Sequence, residues 1–382
     1  MKGAKRMIFV DRKGTNSYKW DTKLKNAPED LIPMWIADMD FKAPEPVIEA
    51  LRERVNHGVF GYTFKSDEYF DSLIYWMKSY HDIKIEREWI VPIPGVILGV
   101  AAAIRLFTNK NDKVIIQPPV YWPFFSTIKE NKRKVVVNNL MLKDGRYKMD
   151  FEDLKEKVKD AKAFILCSPH NPVGRVWDVE EIKKLINVLK KSEILLISDE
   201  IHADLTYKKF HSVIEFHEIY DKIIVLTSPH KTFNIPSLHI ANALIPNGDI
   251  RKKFEEYIHA LYLHTTNPLS MVAMISAYKY GRDWLEDVLK YIKGNMNMIF
   301  EWTRNKDFVD TYLPEGTFLL WLDFRKTGLD SDKIFERLMK NGLWLQNGKD
   351  FGRAGDGFMR MNVATSREIV KEALKRIEKA FE

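Results

Sequence analysis

Three apolar runs in this chain end on side chains able to do polar chemistry. AFILC (163–167) runs into Ser168, His170 and Asn171, ILLIS (194–198) into Asp199, Glu200 and His202, and IIVLT (223–227) into Ser228, His230 and Lys231. Two of these runs end on the same tripeptide, Ser-Pro-His, which an amide follows in one case and an amine in the other. Open parallel sheets bind ligands just beyond the carboxyl ends of their strands. An amide, a carboxylate with an imidazole three residues on, and an amine would then face one crevice. Loops after strands are polar in any protein, so one such residue alone decides nothing. An Asn, an Asp and a Lys at successive strand ends say more.

A fourth feature points the same way. Pro94-Gly95 runs straight into VILGVAAAIRLF, an apolar helical stretch. A helix that opens at glycine offers free backbone N–H groups to a phosphate. Pyridoxal phosphate is a phosphate-bearing cofactor that uses both an amine and an acid. A lysine holds its aldehyde, and a carboxylate keeps its pyridine nitrogen protonated so that the ring accepts electrons from a carbanion. Tyr121, after the run KVIIQ (113–117), is an aromatic residue that could stack on such a ring.

The elements that must position these residues are legible from periodicity. KVIIQ, KVVVN (134–138), AFILC, ILLIS and IIVLT are short and rich in Val and Ile. Such runs suit strands buried on both faces. The helix-like patterns YWPFFSTIKENK, DFEDLKEKVKD and DVEEIKKLINVLKK lie between them, and alternation of this kind implies βαβ units in a doubly wound sheet. Residues 248–306 form long helical patterns. The chain then reads strand (FLLWLDF), helix (DKIFERLMKNG), strand (GFMRMNV) and terminal helix, an α+β segment expected to form a second, smaller domain.

Composition narrows the class. The 382 residues are 45% hydrophobic and 30% charged, as expected for a globular protein with a sizeable core. No apolar run approaches the roughly 20 residues of a membrane span, and the N-terminal apolar patch is too short for a signal peptide, so a cytoplasmic protein is expected. The net charge of +7 invites a nucleic-acid reading. However, lysines alternate with glutamates in VEEIKKLINVLKKSE and REIVKEALKRIEKAFE, the pattern of solvated helix faces. The single cysteine, Cys167, excludes an internal disulfide and a multi-cysteine metal site. Its apolar surroundings suggest an inert thiol.

The motifs PMWIADMDFKAP, GYTFKSDEY, PPVYWPFF, CSPHNPVGRVW, SDEIHADL, SPHKTFNI, PEGTFLLWLDFR and FMRMNVATSR follow one another along essentially the whole chain. In this order the sequence resembles the fold-type I pyridoxal-phosphate enzymes of the aspartate aminotransferase superfamily, and within them the cystathionine β-lyase or C–S lyase branch. The resemblance implies an α/β fold of the PLP-dependent transferase kind. It comprises a mostly parallel seven-stranded sheet in a large domain over 46–285 and a smaller α+β domain built from 1–45 and 286–382.

It also implies roles. Lys231 would be the Schiff-base lysine and the base that removes the substrate Cα proton. Asp199 would pair with the pyridine nitrogen. Asn171 would donate to the ring hydroxyl oxygen, with His202 near the same edge. Tyr121 would stack on the ring within the catalytic set. Gly95, the N–H groups of Val96 and Ile97, and Ser228 would hold the phosphate. Tyr62 in GYTF would reach the phosphate of a neighbouring subunit, making an obligate homodimer. Arg360 would clamp the substrate carboxylate through a bidentate pair. Trp35, Ala37 and Asp38 would border the substrate entrance. Plainer readings stand beside these: Arg360 as a strand salt-bridge residue, Tyr62 as core, and His202 and His170 as structural histidines.

The pattern also departs from the family. His239 stands eight residues after the lysine, where aminotransferases of the superfamily carry an arginine that the lyase branch generally lacks. His230 replaces a small residue beside the lysine, and Pro236-Ser237 replaces a small pair. The imidazole could alter the lysine's pKa or replace a phosphate contact. Gln346-Asn347 is expected close to the substrate pocket. The expected reaction is α,β-elimination on cystathionine or another cysteine S-conjugate, giving pyruvate, ammonia and a thiol. An aminotransferase and a non-catalytic regulatory protein that keeps the fold are the alternatives.

Overall fold

In the computed structural model, which describes residues 7–24 and 28–382, the central feature is a seven-stranded sheet. Its strands are β1 (Ile90–Ile93), β2 (Lys113–Ile116), β3 (Lys134–Val137), β4 (Ala161–Cys167), β5 (Leu195–Asp199), β6 (Ile223–Thr227) and β7 (Ala241–Leu244). Their spatial order is β1-β7-β6-β5-β4-β2-β3. Only β7 runs against the rest, pairing antiparallel with both β1 and β6. The carboxyl ends of the other six therefore share one edge.

The apolar runs do form strands buried on both faces. Alternate residues of each strand fall into separate cores: Ile165, Ile197 and Leu226 on one side, Phe164, Leu196 and Val225 on the other. Successive side chains of a strand point to opposite faces, so only a run without polar alternation can fill both. Two strands lie outside the five apolar runs read from the sequence. β1 contains Pro92, which argues against a central strand, yet β1 is an edge strand, where proline is tolerated. β7 contains Asn242, which is buried and accepts a hydrogen bond from the Tyr69 hydroxyl at 2.7 Å.

The helical stretch after Gly95 is a helix over Val96–Phe107. It packs so tightly on the sheet that a Cβ at Gly99 would lie 2.7 Å from side-chain carbons of Ile93 and Leu226. Residues 248–306 resolve into three helices, Gly248–Ala260, Pro268–Tyr280 and Arg282–Thr303. A smaller antiparallel sheet has Phe358–Asn362 at its centre, between Leu319–Asp323 and Gln346–Asn347. Helices Ser331–Lys340 and Arg367–Phe381 accompany it. The segment Ile32–Pro33 pairs in parallel with Leu343–Trp344, which ties the early chain to the late one. Among the described residues no helix is long and apolar enough to cross a membrane.

Candidate active site

A cavity of about 500 Å³ opens at the shared carboxyl edge. Five strand ends deliver residues to it: β1 gives Gly95, β2 gives Tyr121, β4 gives Asn171, β5 gives Asp199 and β6 gives Lys231. The smaller sheet adds Arg360 and Gln346, and the early chain adds Trp35 and Ala37. His202, Val96 and Ile97 also line it.

Lys231 is the centre of this arrangement. Its Nζ donates to the backbone oxygen of Ala37 at 2.5 Å, across 194 residues of sequence. Burial lowers its pKa to about 8, because a desolvated ammonium is disfavoured. Asp38 and Asp199 pull the other way, and Arg360 pushes it further down. The lysine therefore has a neutral, nucleophilic fraction near pH 8 that a surface lysine lacks. In cofactor-free protein, acylation of Lys231 by an amine reagent should rise with half-maximum near pH 8 as the ammonium loses its proton. Peptide mass spectrometry over a pH series checks this. Reactivity that climbs only with the bulk lysines, near 10.5, would refute it.

Two asparagines set the Ala37 carbonyl in place. Asn234 lies three residues past Lys231. Its amide donates to the Met39 and Phe41 carbonyls at 2.9 and 2.8 Å, and its oxygen accepts from the Met39 N–H at 2.9 Å. Asn362 donates to the Ile36 and Asp38 carbonyls, both at 2.6 Å. The Trp35–Phe41 loop is thus fastened on both sides. A buried carboxylate, Asp204, steadies the lysine loop from behind. It accepts from Trp76 Nε1 at 2.8 Å and Thr232 Oγ1 at 2.6 Å, and its Oδ1 lies 2.6 Å from His81 Nε2. Sequence reading assigned no role to Asn234, Asn362 or Asp204. All three lie inside quoted motifs, but a motif does not say which remote group a side chain will meet.

Asp199 is buried and accepts one backbone bond, from the Ile201 N–H at 3.1 Å. Burial raises its pKa to about 6, against the pull of that N–H and of Lys231. It remains an anion at neutral pH and would be steadied by a cationic partner. Arg360 is buried and donates to Asn171 Oδ1 at 3.0 Å and to the Trp35 carbonyl at 2.6 Å. Desolvation lowers its pKa to about 10, so it stays charged. It has no carboxylate partner among the described residues, so the salt-bridge reading of this residue does not hold. Tyr121 lines the cavity, with its phenol pushed up to about 12 by burial and by Asp199.

Two expected site residues are bonded to the scaffold beside the cavity. Ser228 does not line the cavity. Its hydroxyl donates to the Ile240 carbonyl at 2.7 Å and accepts from the His230 N–H at 3.1 Å, so its proton is committed to the scaffold. Asp38 does not line it either. Its carboxylate is held by both terminal nitrogens of Arg12, at 2.9 and 2.7 Å. Tyr62 is fully exposed rather than core. His170 is scaffold: its Nε2 meets the Pro119 carbonyl at 2.9 Å, which requires the proton there, and burial lowers its pKa to about 4. Cys167 is buried and its thiol is pushed well up by desolvation, in keeping with an inert role. Tyr18, Trp122 and Ile201 line the cavity and were not anticipated. Trp122 and Ile201 each follow an anticipated residue closely, but Tyr18 carries no local signal.

The residues present fit pyridoxal phosphate. Nδ1 of His202, Nε of Arg360 and Nε1 of Trp35 are buried without a partner among the described residues, and all three residues line the cavity. Buried polar atoms need partners, so this cavity calls for a polar ligand. Beside Gly95, a Cβ would meet nothing within 4 Å, which leaves room in front of the helix start at Val96. One cavity thus offers a helix N-terminus, an amine of lowered pKa, a buried acid and an unsatisfied guanidinium.

Known proteins share this architecture. The chain is 38% identical over 387 residues to "Cystathionine beta-lyase PatB" of Bacillus subtilis, covering 97% of this chain and 98% of that one. Cystalysin of Treponema denticola, solved with a pyridoxal 5'-phosphate cofactor, superposes with a TM-score of 0.94 at 36% identity, over 98% of each chain. The PLP-bound C–S lyase of Staphylococcus hominis gives a TM-score of 0.91 at 32% identity, over 98% of this chain and 97% of that one. The model of the family "Aminotransferase class I and II" matches residues 29–377, a span that takes in every strand-end residue of the cavity, and this chain belongs to that family.

Proposed function

We propose that this chain is a pyridoxal-phosphate-dependent carbon–sulfur lyase. It would convert cystathionine or another cysteine S-conjugate, with water, to pyruvate, ammonia and a thiol. The observation that carries the reading is the meeting of Lys231, Asp199 and Arg360 in one buried cavity. The relatives named as cystathionine β-lyase and C–S lyase favour the elimination outcome.

Lys231, Asp199, Asn171, His202, Tyr121, Gly95, Val96 and Ile97 would hold the cofactor. When bound, the cofactor supplies an aldehyde for the substrate amine and a ring that stores the electrons of the Cα–H bond. The remaining work falls to the chain. Arg360 orients the amino acid by its carboxylate. Lys231 Nζ, with its lowered pKa, takes the Cα proton. The carbonyl of Ala37 holds that amine at a fixed point. Asp199 stays ionised and fixes a positive charge opposite it. Neutral His202, whose pKa burial drives well down, adds hydrogen bonding without adding charge.

The test is a panel of cysteine conjugates assayed for pyruvate and thiol together, with amino-acid product followed in parallel. Stoichiometric pyruvate and thiol are expected. A new amino acid formed only when a keto acid is supplied, with no thiol released, would replace this reading with transamination, the activity that names the family. A chain that binds no pyridoxal phosphate and forms no product would fit the regulatory alternative.

We also propose a cytoplasmic homodimer in which Tyr62 reaches the partner's cofactor site. Phe60, Tyr62 and Phe64 are all more than half exposed, and a contiguous apolar stretch of this kind marks an interaction site. Sedimentation should give twice the 44.9 kDa chain mass; a monomer at micromolar concentration would refute it. We assign 46–285 to the large domain and 1–45 with 286–382 to the small one. Residues 1–6 and 25–27 of that span lie outside the described residues.

A further inference from the structure

His230 occupies a defined place in the cavity. Ile240 donates its backbone N–H to His230 Nε2 at 2.8 Å. A backbone N–H can only donate, so Nε2 must present a lone pair. The ring is neutral: burial lowers its pKa to about 3, and Lys231 and His239 add to the effect. A neutral imidazole whose Nε2 is an acceptor carries its proton on Nδ1. No protein group among the described residues accepts from that Nδ1.

The position of the ring follows from strand register. Ala241 stands opposite Ile93 across the β7–β1 pair. Ile240, one residue earlier, therefore lies beside the turn at Pro94-Gly95 that opens the Val96 helix. His230, bonded to Ile240, lines the same cavity as Gly95, Val96 and Ile97. Several neighbouring donors already have protein acceptors. Ser228 donates to the Ile240 carbonyl. Arg360 binds Asn171 and the Trp35 carbonyl. Lys231 binds the Ala37 carbonyl.

We propose that His230 is a phosphate-binding residue, whose Nδ1–H donates to the cofactor phosphate while Nε2 stays fastened to Ile240. This rests on the pyridoxal-phosphate reading above. It also explains the two side chains that bracket Ile240. Ser228 takes the carbonyl and His230 the N–H, which holds the imidazole in one tautomer. The phosphate then meets a neutral donor in addition to the helix N–H groups.

The test separates a phosphate contact from a merely structural clamp. Cofactor-free protein is titrated with pyridoxal phosphate and, separately, with pyridoxal, which has the aldehyde and ring but no phosphate. His230→Gln keeps an oxygen able to accept from Ile240 but removes the Nδ1 donor. Pyridoxal phosphate should bind about tenfold or more weakly, as for the loss of a hydrogen bond to a charged group, and pyridoxal within about twofold of wild type. Equal losses for both ligands would reduce His230 to a clamp, and no loss for either would remove it from the phosphate site. Should the variant fail to fold, ¹⁵N spectra of histidine-labelled, cofactor-loaded wild type decide the matter. A neutral ring protonated at Nδ1 is expected from about pH 6 to 9, and a cation or the Nε2–H tautomer would overturn the proposal. Wild type that binds no pyridoxal phosphate would instead sink the cofactor reading itself.

Discussion

Lys231→Ala should lower pyruvate formation from a cysteine S-conjugate by at least about 10³-fold. A positioned general base contributes about 10²–10⁴-fold, and this lysine also anchors the cofactor in the proposed reading. The fold should survive. The amine sits at the cavity wall with a single hydrogen bond among the described residues, to Ala37, and truncation removes a desolvated cation rather than a packed apolar group. Steady-state pyruvate assays on protein with unchanged far-UV dichroism make the comparison. A variant with activity within about tenfold of wild type would mean that another group removes the Cα proton. None of the neighbours suits that task as well. His202 and His230 have pKa values driven far down by burial, and Tyr121 is pushed up to about 12. Lys231 alone among these is brought near neutral pH.

Arg360→Lys should raise KM for the amino acid much more than it lowers kcat, with kcat/KM reduced by about 100-fold. Losing charge-assisted hydrogen bonds costs about 1.5–3 kcal/mol, which is roughly 10–150-fold in binding. Lysine keeps the charge but not the planar fork that matches a carboxylate. Two of the guanidinium's bonds already have protein acceptors, Asn171 and Trp35. The ring of Phe351, 5.0 Å from its central carbon, supports the group from one side. Its orientation is therefore fixed before substrate arrives, and Nε remains unsatisfied. Because the carboxylate is not altered in the reaction, the loss falls equally on ground and transition states and appears in KM. A wild-type KM in the lysine variant would sink the carboxylate role of Arg360. A fall in kcat alone would point instead to a disturbed Asn171.

How much of this was legible in the sequence follows from the range of each interaction. Runs such as AFILC and IIVLT announce strands buried on both faces, because local composition is enough to say that neither side can meet water. Their ends mark where side chains emerge from a sheet edge, so Asn171, Asp199, Lys231 and Gly95 could be placed in one crevice without coordinates. The whole-chain motif order identified the family, which the comparisons then bore out. Local patterns were a poorer guide at the sheet's β1 edge and in β7, since Pro92 is tolerated by the position of its strand and Asn242 by a partner 173 residues away.

Tertiary structure decided what each polar group is free to do. The sequence makes Ser228 and Asp38 equal in promise to Asn171 and Asp199. Packing sets them apart, because Ser228 meets the Ile240 carbonyl and Asp38 meets Arg12, and a hydrogen-bonding capacity already used is not available to a ligand. The same holds for His170 and His230, which end the same tripeptide on two strands. One ring abuts the Pro119 carbonyl and needs its proton at Nε2. The other abuts the Ile240 N–H and needs its lone pair there. Residue type and spacing determined that amine, acid and amide gather at one sheet edge. Only contacts between distant segments, fixed by the close packing of the two sheets and the loop between them, determined which nitrogen of each imidazole holds the proton.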